Sequence, residues 1–465
     1  MTKTLTKGKP FLLILEFSLP LIAGNIFQQF YSMADTLIVG RTISVNALAA
    51  VGCTGSITFL ILGFVNGLTS GLSIITAQRF GSGDSEGVRR SFAVSIVLSF
   101  AAAALMTAVS IPLSMPFLKL LETPAEIITD ADIYLKVIFI GIPAQVLFNL
   151  LSNEIRALGD SRTPLYFLIF ACIVNIILDF ALILIFHMGV AGAGVATVFS
   201  QLLSGVMCII YIHRKFPLLC VRREDFRMDL RNIRIHLSTG LPMAFQMSII
   251  AVGSLILQSA LNRLGAVSVA AYTAAQKIDS IATMPMNSFG MAMATYAAQN
   301  YGAGKLDRVR QGVNQCILLS GGFSIVMGVV NIMVGRQLTA LFVSAGETEV
   351  IELSHTYLTI TGSTYVILAL LFIYRFTLQG LGKSLVPTVA GVMELVMRAF
   401  SGLILADLFG FPGACLSNPL AWAGACVPLA AAYYWTMRGL RKKEASPEAH
   451  EKGSILPGFE RRNPC

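Results

Sequence analysis

Charge is what this sequence has least of. Only 13% of its 465 residues are Asp, Glu, Lys or Arg, while 55% are hydrophobic. A soluble domain usually carries about 25% charged residues, so this composition excludes an ordinary soluble globule and points to an integral membrane protein. Motifs for covalent or nucleotide chemistry are missing as well. The chain has no Walker loop, no GxGxxG ahead of a βαβ unit, no HExxH, and no GxSxG between a strand and a helix. An ATP-powered pump is thereby excluded, and nothing indicates an enzyme. The eight cysteines (Cys53, Cys172, Cys208, Cys220, Cys316, Cys415, Cys426 and Cys465) show no CxxC spacing and no histidine partnering. They read as small apolar filler rather than as metal ligands or disulfides. No cleavable signal peptide is evident, because the basic start at Lys3, Lys7 and Lys9 leads into an apolar run too long for one. Period-two alternation is absent too, which excludes a β-barrel.

What is present is a series of long apolar runs. A helical span needs about 20 such residues, and about twelve runs qualify. They lie at 13–39, 47–77, 92–118, 133–153, 164–186, 190–212, 238–261, 269–297, 312–334, 355–377, 386–407 and 414–437. The run 269–297 is weakened by internal polar groups. With an even number of spans, about 27 of the 34 Lys and Arg fall on the side of the N-terminus, and about 5 on the other. That asymmetry predicts a multi-pass protein of the cell (plasma) membrane, an inner membrane in a cell that has two, with both termini cytoplasmic. It also accounts for the basic net charge without nucleic acid as a partner.

The chain repeats itself. "AQRFGSGDSEGVRR" (77–90) returns as "AQNYGAGKLDRVRQ" (298–311), and "RALGDSRTP" (156–164) as "QGLGKSLVP" (379–387). "NALAAVG" (46–52) is echoed by "VSVAAYT" (267–273), and "GVAGAG" (189–194) by "GFPGAC" (410–415). The order is kept and the offset stays near 222, which indicates internal duplication. Each half has six spans and so enters from the same side. The expected fold is therefore all-α, with two six-helix lobes related by a pseudo-two-fold axis along the membrane normal. The expected units are an N-terminal lobe (1–212), a cytoplasmic linker (213–237), a C-terminal lobe (238–437) and a disordered cytoplasmic tail (438–465). Gly81, Gly83, Gly302 and Gly304 suit tight turns. Gly63, Gly67 and Gly71 form a small-residue stripe, expected at a close helix–helix contact.

The pattern of Leu19-Pro20, "ADTLIVGR", "LAAVG", "AQRFGSGD", "RALGDSRTP", "NIILDF", "GVAGAGVATVFSQ" and "GVMELVMR" resembles the multidrug and toxic compound extrusion (MATE) transporters over residues 11–437. The resemblance implies two lobes around a cavity that opens alternately to each side. It also implies efflux of amphipathic, often cationic compounds, driven by entry of Na⁺ or H⁺. No cofactor is expected beyond that coupling ion. The expected partners are small-molecule substrates and the bilayer, and the chain is expected to act as a monomer. A lipid-linked oligosaccharide flippase of the same broader superfamily is the alternative. It would call for a cluster of cavity arginines, for which only Lys277 and Arg398 stand as candidates.

A few polar residues interrupt the spans. Asn175 and Asp179 are four apart and share a helix face. Asp35 closes the first apolar run. Carboxylates at membrane depth are costly and need a proton, a cation or hydrogen-bond donors. The hydroxyl of Thr197 would add to such a set. Four hard oxygen donors suit Na⁺, and two close carboxylates that resist joint ionisation suit a proton. By resemblance, Asp35, Asn175, Asp179 and Thr197 match the family's cation-coupling site; set against this, Asp35 and Asp179 could lie at water-exposed helix ends. The second half has no acid at the matching positions, near Ile256–Gln258 and Phe400–Gly402, so coupling is expected in one lobe. Glu394 and Arg398, also four apart, form either an internal ion pair or a second coupling or substrate-facing site. Lys277 and Asp279, two apart, must each meet another helix or cavity water. Gln28, Gln29, Tyr31, Gln246, Gln258 and Asn287 are candidate polar cavity groups. Met284 and Met286 offer a soft substrate lining, although core packing accounts for methionines equally well.

Overall fold

The computed structural model describes residues 4–227, 229–343 and 347–444. The first lobe opens with α1 (Pro10–Thr42), then α2 (Val45–Cys53) and α3 (Gly55–Ser82), which together make one apolar unit. Next come α4 (Ser85–Leu120), the pair α5 (Ile128–Ile140) and α6 (Ile142–Ala157), α7 (Arg162–Phe180) and α8 (Gly189–Lys215). The second lobe holds α9 (Leu230–Arg263), α10 (Ala266–Gly302), α11 (Leu306–Ala340), the pair α12 (Thr348–Gly362) and α13 (Tyr365–Gly380), and α14 (Leu385–Phe400). It ends with the short α15 (Ala406–Phe409) and α16 (Phe411–Cys415), followed by α17 (Ser417–Glu444). Among the described residues nine helices are long and apolar enough to cross a membrane, and up to eleven if each bent pair is one span. The remaining expected span is α10, a 37-residue helix whose polar groups lower its hydropathy.

Three bounds differ from expectation. The segment expected as a linker at 213–237 is helical at both ends, leaving 216–229 between the lobes, with turns at Pro217–Leu219 and Arg223–Phe226. The stretch 438–444, expected as tail, continues α17 to Glu444, and 445–465 lie outside the described residues. Finally, α1 is shared between the lobes: its buried residues Leu13, Ile14, Phe17 and Leu21 join a core built from α10, α11, α13 and α17. Further along, Gly24 lies against Leu165 and Leu168 at the start of α7.

The duplication extends to irregularities of the backbone. Both bent pairs fall at matching places, with bends of 47° and 50°. Both α7 and α14 run into a five-residue π-helical turn, Ala181–Ile185 and Ser401–Leu405. Such turns are rare in α-helices and concentrate at functional sites.

The lobes meet along α3 and α9. The glycine stripe on α3 does what its spacing predicts: a Cβ on Gly71 would stand 2.6 Å from Gly240 Cα, and one on Gly67 2.5 Å from Met243 O. At the end of this seam nearer the termini, the two repeated loops interlock. Gln78 Nε2 donates to Gly380 O, and Gln299 Nε2 donates to Ala157 O, both at 2.8 Å. Gly81 and Gly302 allow this approach, since a Cβ on either would overlap the backbone of Gln299 or Gln78. Gly83 and Gly304 take positive φ (79° and 70°) and make the turns. Ser91 Oγ and His236 Nε2, at 2.7 Å, add another link across the seam.

Candidate functional site

Helix α7 is two-sided. Ile173, Ile177 and Phe180 are exposed on its outer face, while Asn175 and Asp179 are completely buried on the other. That is the division the spacing of four predicts. Asp35 lies two turns inside the end of α1 and is only 8% exposed, so it belongs to the helix and not to an outer loop. The carboxyl groups of Asp35 and Asp179 face each other. With its amide oriented to satisfy both atoms, Asn175 donates to Asp179 Oδ2 at 3.0 Å and accepts from the Thr197 backbone N–H at 3.2 Å. Thr197 Oγ1 accepts a hydrogen bond from Tyr31 Oη at 3.0 Å.

The structure therefore brings Asp35, Asn175, Asp179 and Thr197 together, with Tyr31 among them rather than in the cavity group where it was expected. Tyr134 of α5 also faces both carboxyl groups; sequence reasoning missed it because a tyrosine in an apolar run carries no signal of its own. Asp35 Oδ1 and Asp179 Oδ1 are buried and have no partner among the described residues. Two adjacent carboxyl groups with orphaned oxygens call for a proton or a small cation. The donor set of carboxylates, amide and hydroxyl fits either.

A cavity of 330 Å³ lies between the lobes, lined by Asn25, Gln28 and Gln29 from α1, Ser280, Thr283, Met284 and Asn287 from α10, and Phe372 from α13. Four of the expected cavity residues, Gln28, Gln29, Met284 and Asn287, thus line one space. Asn25, whose Nδ2 donates to Ser288 Oγ at 2.9 Å, was missed. Gln28 and Asp35 are seven residues apart and share a face of α1, so one helix serves both the cavity and the carboxyl pair.

Other expectations are corrected. Met286 is completely buried in the core of the second lobe and is not among the residues that line this cavity. Gln246 is buried and accepts from Gln379 Nε2 at 2.9 Å; Gln258 stays half-exposed and donates to Asn262 on its own helix at 3.0 Å. Glu394 and Arg398 do not pair. Glu394 forms a buried ion pair with Arg375 of α13, while Arg398 donates to Ser254 at 3.4 Å. Arg375 is consequently a core residue. Lys277 is exposed and Asp279 buried, as their spacing requires. Glu154 of α6 is fully buried with neither carboxyl oxygen partnered among the described residues. It falls one residue past the apolar run 133–153, so counting spans passed it by.

Comparison with known proteins agrees with this architecture. The family model described as MatE matches residues 20–181 and again 242–404, one copy per lobe. The probable multidrug resistance protein YpnP of Bacillus subtilis is 30% identical over 407 residues, covering 87% of this chain and 90% of that protein. The probable multidrug resistance protein YoeA of the same organism is 28% identical over 389 residues, covering 82% and 83%. A solved structure described as MATE in complex with MaL6 superposes with a TM-score of 0.86 at 20% identity, covering 94% of this chain and 98% of that one. With both halves matched by the family model and the two-lobed helical fold shared with solved MATE structures, this chain belongs to the MatE family of multidrug and toxic compound extrusion transporters.

Proposed function

We propose that this protein is a secondary active multidrug exporter. In this reading it exchanges amphipathic, often cationic compounds for H⁺ or Na⁺ across the plasma membrane, as a monomer with both termini in the cytoplasm. The observation that carries it is the buried Asp35–Asp179 pair, with one orphaned oxygen each, in which Asp35 shares α1 with the Gln28 and Gln29 that line the cavity between the lobes. The named activity of the relatives, multidrug resistance, supports the same substrate class. A lipid-linked oligosaccharide flippase would want a cluster of arginines in the cavity, and among the described residues none lines it.

The chemistry follows from charge. With both carboxyls ionised, repulsion at about 4 Å and an effective dielectric of about 20 is on the order of 4 kcal/mol. A proton or Na⁺ at the pair removes it. That exceeds the roughly 1–3 kcal/mol typical of coupling between sites, so occupancy of the pair can decide where α1 lies against α7. Gln28 and Gln29 move with α1, and the cavity changes shape. Pro20 lies inside α1 and has no backbone N–H to donate, so α1 can bend between its two lobe contacts. Export then consists of drug binding in the cavity on one side and displacement by ion entry from the other.

The test is efflux of a fluorescent cationic dye from vesicles under imposed Na⁺ or pH gradients, in wild type and Asp179→Asn. Gradient-driven efflux should fall at least tenfold in the variant while it remains folded and monodisperse. Wild-type efflux in Asp179→Asn would overturn the reading, and the gradient that drives wild-type efflux identifies the ion.

A further inference from the structure

The second lobe contains a buried carboxylate that the coupling scheme leaves unused. Asp279 lies within α10 and is 7% exposed. Its Oδ1 accepts a hydrogen bond of 2.6 Å from Tyr365 Oη on α13, and Tyr365 Oη accepts one of 2.7 Å from Asn331 Nδ2 on α11. The hydroxyls of Tyr357 and Thr361, both on α12, face the same carboxyl group. Asn418 Nδ2, on α17, donates to Tyr357 Oη at 3.0 Å. Five helices converge on one acid, and among the described residues no Lys, Arg or His stands in ion-pair range of it. Around it the titratable or charged groups are Tyr272 on its own helix, Tyr357 and Tyr365, Cys415 beside the first two, and Arg398 beyond Tyr272 and Tyr357.

The repeat shows where this cluster sits. "GVAGAGVAT" (189–197) aligns with "GFPGACLSN" (410–418), so Asn418 corresponds to Thr197. "DIYL" (132–135) aligns with "HTYL" (355–358), so Tyr357 corresponds to Tyr134. Thr197 and Tyr134 are walls of the Asp35–Asp179 site, which makes the Asp279 cluster its counterpart in the second lobe. Only the source of the acid differs. The first and fifth spans supply it in one lobe, and the eighth span supplies it in the other, where the repeat has Thr58 in the first half.

We propose that Asp279, with Tyr365, Tyr357, Thr361 and Asn418, forms a second site for a small monovalent cation, H⁺ or Na⁺. The site rests on the cation-coupled reading and places ion binding in both lobes. It is distinct from acids in the seventh and tenth spans, which this chain lacks. A lone carboxylate at this depth needs neutralising. Phenol, hydroxyl and amide oxygens around it form a donor set like that of the first lobe.

The test uses purified full-length protein carrying Asp35→Asn and Asp179→Asn, so that the first site is silent. Infrared difference spectra between about pH 5 and pH 9, the range in which buried carboxyls titrate, are recorded with and without Na⁺, then repeated after adding Asp279→Asn. The expected result is a carboxyl signal that changes with pH and vanishes with Asp279→Asn, while any signal from the buried Glu154 persists. A midpoint that moves when Na⁺ is added identifies Na⁺ as an occupant, and a midpoint indifferent to Na⁺ identifies the proton alone. A carboxyl state unchanged by pH and by Na⁺ overturns the site. Should the triple variant fail to fold, Tyr365→Phe keeps the acid and removes its donor. The midpoint must then shift, and an unshifted midpoint overturns the site equally. Failure of the transport reading would show in the Asp179→Asn efflux assay and leave this signal in place.

Discussion

Glu394 and Arg398 stand four residues apart on α14, the spacing at which helical charges normally meet. Yet the carboxylate turns to Arg375 of α13, and both members of that pair are buried. The pair joins neighbouring helices within one lobe. Removing one member of a buried pair leaves the other charge stranded, at about 3–5 kcal/mol. Glu394→Gln should therefore lower the unfolding temperature in detergent and reduce the monodisperse yield. If Glu394 instead faced substrate, the variant would fold as wild type and lose only transport. Thermal unfolding followed alongside dye efflux separates the two.

Helices α3 and α9 carry the seam between lobes, and small residues set its spacing. Gly71 and Gly240 bring the backbones so close that a single added carbon at Gly71 would overlap the partner helix. Gly71→Val should force the helices apart, with a cost of about 1–3 kcal/mol for overpacking borne by the conformation in which the seam is closed. Its signature is faster labelling of a cysteine introduced at Asn232, whose side chain accepts from Arg79 across the seam at 2.6 Å. Unchanged labelling would mean that the seam closes without this contact. At the same scale α1 is unusual, because its first half packs in one lobe's core and its second half carries Asp35 of the other lobe's carboxyl pair.

On the scale of the whole molecule, duplication has produced a two-fold latch. Gln78 reaches a carbonyl of the second lobe, and Gln299 reaches the matching carbonyl of the first, with equal hydrogen-bond lengths. Each bond is worth about 1 kcal/mol, and both are made only while the lobes are closed at this end. Gln78→Ala and Gln299→Ala should shift the population towards the open seam by similar amounts, about fivefold each, and the double variant by about the product. Distances between spin labels at this end of α3 and α9 measure the shift. A large effect from one substitution and none from the other would show that the pseudo-symmetry is not functional here.

The all-helical membrane character, the duplication, the glycine stripe of the seam and the four-residue face of Asn175 and Asp179 were all legible in the sequence. Each rests on local periodicity or on self-comparison, which need no knowledge of what lies opposite. The meeting of Asp35 with Asp179 was suggested only by family resemblance, since contacts between the first and fifth spans leave no periodic trace. What the sequence could not determine is which partner each isolated polar group finds across a helix interface. Glu394 meets Arg375 instead of Arg398, Gln246 meets Gln379 instead of the cavity, and Asp279 meets Tyr365. Helix rotation and crossing decide these pairings, because both depend on packing against every neighbour at once.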